Sequence, residues 1–197
     1  MAETEDTLDT RRAQLLEVVR DLGLIQFDEP RQLSSGEMSR DFIDAKRALA
    51  AGADLHLACG VIADSISAMG IEFDAVGGLT LGADQFSHGV ATWLADDTEW
   101  FVIRKKPKGR GTDQLVEGAR LGTGTRVFLV DDVVTTGGSI QQAHHNVIDT
   151  GATVVAASTL VDRGEVAAAF FAEHGVPYSP VFTYGDLGIE PVGDMVS

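Results

Sequence analysis

The chain reads as an α/β protein built on a mostly parallel, twisted sheet with helices on both faces. Apolar, β-branched runs alternate with helical segments, and repeated strand-then-helix units give parallel pairing with ligands beyond the carboxyl ends of the strands. One run, Val127 to Val130, is continuously apolar, as a strand covered on both faces requires. It passes without a gap into Asp131-Asp132 and then into the hydroxyl and glycine turn Thr135 to Ser139. With 197 residues the chain is long enough for one full core and too short for two ordinary domains, so residues 1–197 are expected to form a single unit.

Leu8, Leu15, Leu16, Val19 and Leu22 recur at helical spacing after polar Thr4 to Asp6, predicting an amphipathic helix that ends near Gly23. Ile25 to Ile43 reads as irregular or hairpin-like. Ala45 to Met69 reads as a helical region interrupted around Gly52 and Gly60. Strand and helix then alternate: Asp74 to Leu81 is a strand and turn, Ala83 to Leu94 a helix, Trp100 to Lys105 a strand and Arg126 to Val133 a strand. They are followed by a helix from Ile140 to Asp149, a strand from Thr153 to Val161, a helix from Val166 to His174 and a last short strand from Pro180 to Tyr184. No internal repeat, low-complexity tract or linker breaks this order.

Thirty acidic against fifteen basic residues give a formal net charge of −15, which argues against nucleic acid and anionic membrane surfaces as partners. An anionic ligand therefore needs a local basic site. The four lysines are Lys46, Lys105, Lys106 and Lys108, three of them within four residues. Such an acid-rich, lysine-poor surface resembles proteins of salt-loving organisms, where salt screens self-repulsion. Cys59 is the one cysteine, which excludes an intrachain disulfide and fits a reducing cytoplasm. Its neighbours Leu57, Ala58 and Val61 mark it as a small core residue. The first residues lack a basic and an apolar region, and no apolar stretch approaches membrane length, so a soluble, cytoplasmic protein is expected.

Thr135 to Ser139 offers hydroxyls and unhindered backbone N–H groups at the start of a helix, where the helix dipole and unpaired donors favour a phosphate. Asp131 and Asp132 repel a phosphate and suit ribose hydroxyls or a metal ion beside it. Sugar and phosphate together point to a ribose 5-phosphate group. Arg104-Lys105-Lys106-Pro107-Lys108-Gly109-Arg110-Gly111 follows a strand and carries Pro and Gly, predicting a mobile cationic loop able to close over a polyanion. His144 and His145 adjoin on the following helix, where successive side chains diverge by about 100°, so a surface or interface role is expected in place of joint chelation. Trp93 and Trp100 flank an acidic turn and read as packing residues, as does His88 as a partly buried helix residue.

Asp131-Asp132 followed by Thr135-Thr136-Gly137-Gly138-Ser139 resembles the phosphoribosyl-pyrophosphate (PRPP) motif of type I phosphoribosyltransferases. Arg104-Lys105, Lys108 and Gly111, with Leu115-Val116-Glu117-Gly118 downstream, resemble the catalytic loop of the orotate phosphoribosyltransferase family. Leu33-Ser34-Ser35-Gly36 through Ser39, Phe42 and Asp44 is similar to that family's orotate-binding loop. Gly77 to Asp84 is similar to its pyrophosphate loop, and Val161-Asp162-Arg163 to the strand end that carries its orotate-contacting arginine. The resemblance runs from about Leu33 to Gly188.

It implies a type I phosphoribosyltransferase fold with a small N-terminal hood, residues 1–45 forming helix and hood and 46–197 the α/β core. It implies PRPP contacts from Arg104, Lys105, Lys108, Arg110, Asp131, Asp132, Val133, Val134, Thr135, Thr136, Gly137, Gly138 and Ser139, with Lys105, Lys108, Asp131 and Asp132 as the catalytic set. Thr135, Arg163, Ser34 and Phe42 are the implied orotate contacts, and Thr80, Leu81 and Gly82 form the implied pyrophosphate loop. Mg²⁺ is the implied cofactor, held chiefly through PRPP, with Asp131 and Asp132 reaching it through water. A homodimer sharing loop 104–111 across its interface is also implied. Arg110 stands where the family often has His, exchanging a group that titrates near neutrality for a permanent charge. Transfer to another base, or a PRPP-sensing regulator, are the competing readings; acidic charge and the retained Lys105 and Lys108 argue against the regulator.

Overall fold

A computed structural model describes residues 7–33, 36–95, 97–106 and 115–192. A six-stranded sheet has the order β5-β4-β3-β6-β7-β8, and a separate hairpin pairs β1 with β2. Helix α1 (Leu8–Val18) continues through a π turn at Val19–Gly23 into β1 (Leu24–Gln32), which pairs antiparallel with β2 (Met38–Ile43). Two helices follow, α2 (Ala45–Ala48) and α3 (Gly52–Ala68). The sheet then forms from β3 (Ala75–Leu79), β4 (Glu99–Ile103), β5 (Val116–Gly118), β6 (Arg126–Val134), β7 (Thr153–Asp162) and β8 (Phe182–Thr183). Its connections carry α4 (Asp84–Leu94), α5 (Gly138–Asp149) and α6 (Val166–Glu173), and α7 (Tyr184–Leu187) closes the fold.

Within the six-stranded sheet, pairing among the described residues is parallel at β3–β4, β3–β6, β6–β7 and β7–β8 and antiparallel at the β4–β5 edge. Side chains alternate across each strand. Phe128 and Val130 therefore join a core with Leu15, Ile62 and Phe86 from α1, α3 and α4. Val127 and Leu129 join a second core with Ile140 and Val147 of α5 and Phe171 of α6. The expected sheet with helices on both faces is thus what forms, and it sets the carboxyl ends of β3, β6 and β7 along one edge.

Two local expectations change. Gly60 does not interrupt a helix: α3 runs through it, and the position lacks a side chain because the Trp93 ring lies against it. The short edge strand β5 was read only as part of a loop motif, since three residues carry no periodicity. Ile25 to Ile43 forms the hairpin its residues suggested, with an irregular register between Gln26 and Arg31. The core reading of Cys59 holds: it is 1 % exposed, and burial pushes its thiol up to about 12.

Candidate functional site

The site grows from the end of β6. Asp131 is 4 % exposed, and its Oδ1 accepts from the Asp132 backbone N–H at 2.9 Å. Burial first, and then the charge of Asp132, push the Asp131 carboxyl up to about 7. Asp132 accepts from the Lys46 ammonium, and its Oδ1 also accepts from the Val133 N–H at 2.8 Å. Asp84, opening α4, belongs to the same field; burial raises its carboxyl while His88 and Lys46 pull it down.

Gly82 lies directly against this pair. A Cβ there would collide with Oδ1 of both Asp131 and Asp132, so only glycine lets the turn after β3 approach the carboxylates. In that turn the Thr80–Leu81 peptide is cis, Thr80 N–H donates to the Ile103 carbonyl at 2.8 Å, and the Leu81 side chain faces solvent.

Beyond Asp131 a cavity of about 490 Å³ is lined by Leu79, Lys105, Asp131 and the whole segment Val133 to Ile140. Gly137 caps α5 with φ +74°, a conformation that glycine adopts without penalty, and among the described residues no side chain satisfies the cap. The first N–H groups of α5 are therefore left for a ligand in this cavity.

A second cavity, about 330 Å³, lies under the hairpin and is lined by Leu33, Phe42, Asp44, Lys46, Asp132, Val133, Thr135 and Arg163 among others. Val133 and Thr135 line both cavities, so the two spaces adjoin. Arg163 is 2 % exposed; its Nη1 donates to the Asp41 carbonyl at 2.9 Å and its Nη2 to Ser39 Oγ at 3.0 Å. Its Nε has no partner among the described residues. One guanidinium thus ties the hairpin to the end of β7 while keeping donors for a ligand.

The structure accordingly brings together Lys105, Asp131 to Ser139, Gly82, Phe42 and Arg163. Arg104 points elsewhere, its guanidinium 3.4 Å from Glu117 on β5. Ser34, Lys108 and Arg110 lie outside the described residues. Lys46 is a site residue that the motifs did not mark; the signal was its isolation as the one lysine away from the basic loop. Ser39 and Asp41 were likewise unmarked in their role of holding Arg163.

The histidines give a further departure. His144 and His145 do share a neighbourhood, joined by His174 from the end of α6, with one ring nitrogen of each within 4.8 Å of the others. Burial, then His174 and His145, push the His144 imidazole down to about 4.

Residues 48–169 match the family model described as a phosphoribosyl transferase domain. The chain is 36 % identical over 181 residues to the orotate phosphoribosyltransferase of Mycobacterium tuberculosis, covering 91 % of this chain and 97 % of that one. It is 37 % identical over 155 residues to the orotate phosphoribosyltransferase of Thermococcus gammatolerans, covering 79 % and 80 %. The crystal structure of the M. tuberculosis enzyme in complex with PRPP superposes with a TM-score of 0.75 at 34 % identity, over 91 % of this chain and 99 % of that one.

Proposed function

The chain belongs to the phosphoribosyltransferase family, among the orotate phosphoribosyltransferases, and on that premise we propose that it transfers a 5-phosphoribosyl group from PRPP to N1 of orotate. Orotidine 5′-monophosphate and pyrophosphate are the products, a step in pyrimidine synthesis. The observation that carries the reading is the pair of adjoining cavities sharing Val133 and Thr135. One ends on the bare N-terminus of α5 and suits the 5-phosphate; the other ends on Arg163 and suits a planar base bearing a carboxylate.

The N–H groups opening α5, with the hydroxyls of Thr135, Thr136 and Ser139, hold the phosphate. Asp131 and Asp132 hold the ribose hydroxyls, and Lys46 keeps Asp132 oriented. As the C1–O bond breaks, the ribose becomes cation-like and the pyrophosphate gains negative charge. Lys105, joined by Lys108 and Arg110 of the basic loop, stabilises that charge more in the transition state than in the ground state. Loop closure also excludes water from the reacting carbon. Arg163 offers the orotate carboxylate two parallel donors, and Phe42 covers the pyrimidine face.

Mg²⁺ fits this donor set. The Asp131 and Asp132 carboxylates converge on one point, where Gly82 packs against an oxygen of each, and oxygen donors of this kind suit a hard cation. When bound with PRPP, Mg²⁺ neutralises pyrophosphate charge. The enzyme works as a homodimer in the cytoplasm, and its acidic, lysine-poor surface suits high salt.

The test follows orotate depletion by ultraviolet absorbance with PRPP and Mg²⁺ at several salt concentrations, alongside uracil, hypoxanthine and adenine. Depletion of orotate alone, strongest at high salt, is the expected outcome. Faster use of another base overturns the assignment of the second cavity.

A further inference from the structure

We propose that His144, His145 and His174 form a binding site for a divalent transition-metal ion, with zinc as the best match, clamping α5 to the end of α6. The three donor nitrogens already lie within 4.8 Å of one another. Tetrahedral zinc with bonds of about 2.1 Å needs nitrogen separations of roughly 3.4 Å. His145 and His174 are exposed and can turn to close that gap, while His144 is buried and fixed.

Two further observations point to a ligand. His144 is 5 % exposed, and its Nδ1 is buried without a hydrogen-bond partner among the described residues. A polar atom left so is costly, and coordination would satisfy it. His174 places Nδ1 at 2.8 Å from the Phe170 carbonyl. In the neutral ring that contact makes Nδ1 the N–H donor and leaves the Nε2 lone pair outward, as in histidines that ligate metals. The rings of His144 and His174 are 4.8 Å apart by centroid, and each lies against Phe170.

Three imidazoles suit zinc, copper or nickel and not Mg²⁺, whose preferred donors are oxygens. The site is also separate from the substrate cavities: none of the three histidines lines either cavity, and His144 lies instead against Phe170 and Phe171 of α6. Adjacency on one helix made joint chelation look unfavourable; the third histidine, supplied by another helix, supplies the converging geometry.

Protein stripped with EDTA is titrated with Zn²⁺ by calorimetry, and with Co²⁺ as a spectroscopic stand-in, in excess Mg²⁺ to fill oxygen sites. Expected are one equivalent per chain, ligand-field absorption from Co²⁺, and a rise of roughly 5 °C in unfolding midpoint at saturating Zn²⁺. His145→Ala and His174→Ala, both at exposed positions, should each weaken binding by at least about 100-fold, the upper range for losing even an outer-shell partner. Both should abolish the thermal shift and leave orotate turnover unchanged. Absence of Co²⁺ absorption in the parent, or binding unaltered in both variants, overturns the proposal.

Discussion

Asp131 sits where function and folding pull in opposite directions. Its carboxyl titrates near 7 in the fold against about 3.9 in an unfolded chain, because burial and Asp132 oppose its charge. The folded state thus holds a proton that the unfolded state releases, and stability contributed here falls as pH rises from about 4 to about 7 and stays flat above. Urea unfolding without Mg²⁺ should show Asp131→Asn gaining stability relative to the parent between about pH 5 and pH 8, while losing most activity. A constant difference between the two proteins across that range would remove the carboxyl from this balance. Arg163 poses a different question, because it both faces the second cavity and tethers the hairpin through Ser39 and Asp41. Arg163→Ala should raise the Michaelis constant for orotate by the equivalent of roughly 2–4 kcal/mol and that for PRPP much less. Ser39→Ala removes one tether and no carboxylate partner, so it should cost orotate binding far less; equal losses in steady-state kinetics would assign Arg163 to holding the hairpin.

At the scale of elements, the alternation of strands and helices from β3 to α6 was legible, because long apolar runs and helical spacing record burial directly. The site segment from Asp131 to Ser139 was legible for the same reason: strand, carboxylates and helix start are contiguous. What escaped depends on contacts between distant residues. The bonds from Arg163 to the hairpin span more than 120 residues, and Lys46 meets Asp132 across 86. Among the described residues strand β5 has β4 as its one partner, and its residues reveal no pattern until that partner is present. Gly60 looked like a break because a glycine's close contact with Trp93 and a glycine's helix-ending role share one letter. The basic loop between β4 and β5 is tested as a unit. Lys108→Ala should lower turnover by more than it raises the Michaelis constant for PRPP, since the charge it meets develops as the bond breaks. Unchanged turnover in a PRPP titration would take the loop out of the mechanism.

For the whole molecule, the proposal of a homodimer whose subunits share the basic loop predicts complementation. Mixing Lys108→Ala subunits with subunits inactivated by Asp132→Asn should restore one working site per hybrid dimer, measured after purification of doubly tagged species; confirmed hybrids with no recovered activity would mean that each subunit uses its own loop. The common wall of the two cavities has a consequence of another kind. Val133 and Thr135 line both cavities, so under the proposed function whatever one ligand does to these residues is felt by the other. Energetic coupling of this sort is symmetric: the factor by which a bound phosphoribosyl group tightens the base must equal the factor by which the base tightens the phosphoribosyl group. Calorimetry with a non-reacting PRPP analogue and orotate, titrated in both orders, should close that thermodynamic square with a coupling factor above one. A factor of one would make the shared wall a passive partition, and the preference for filling one cavity first would then be purely a matter of access.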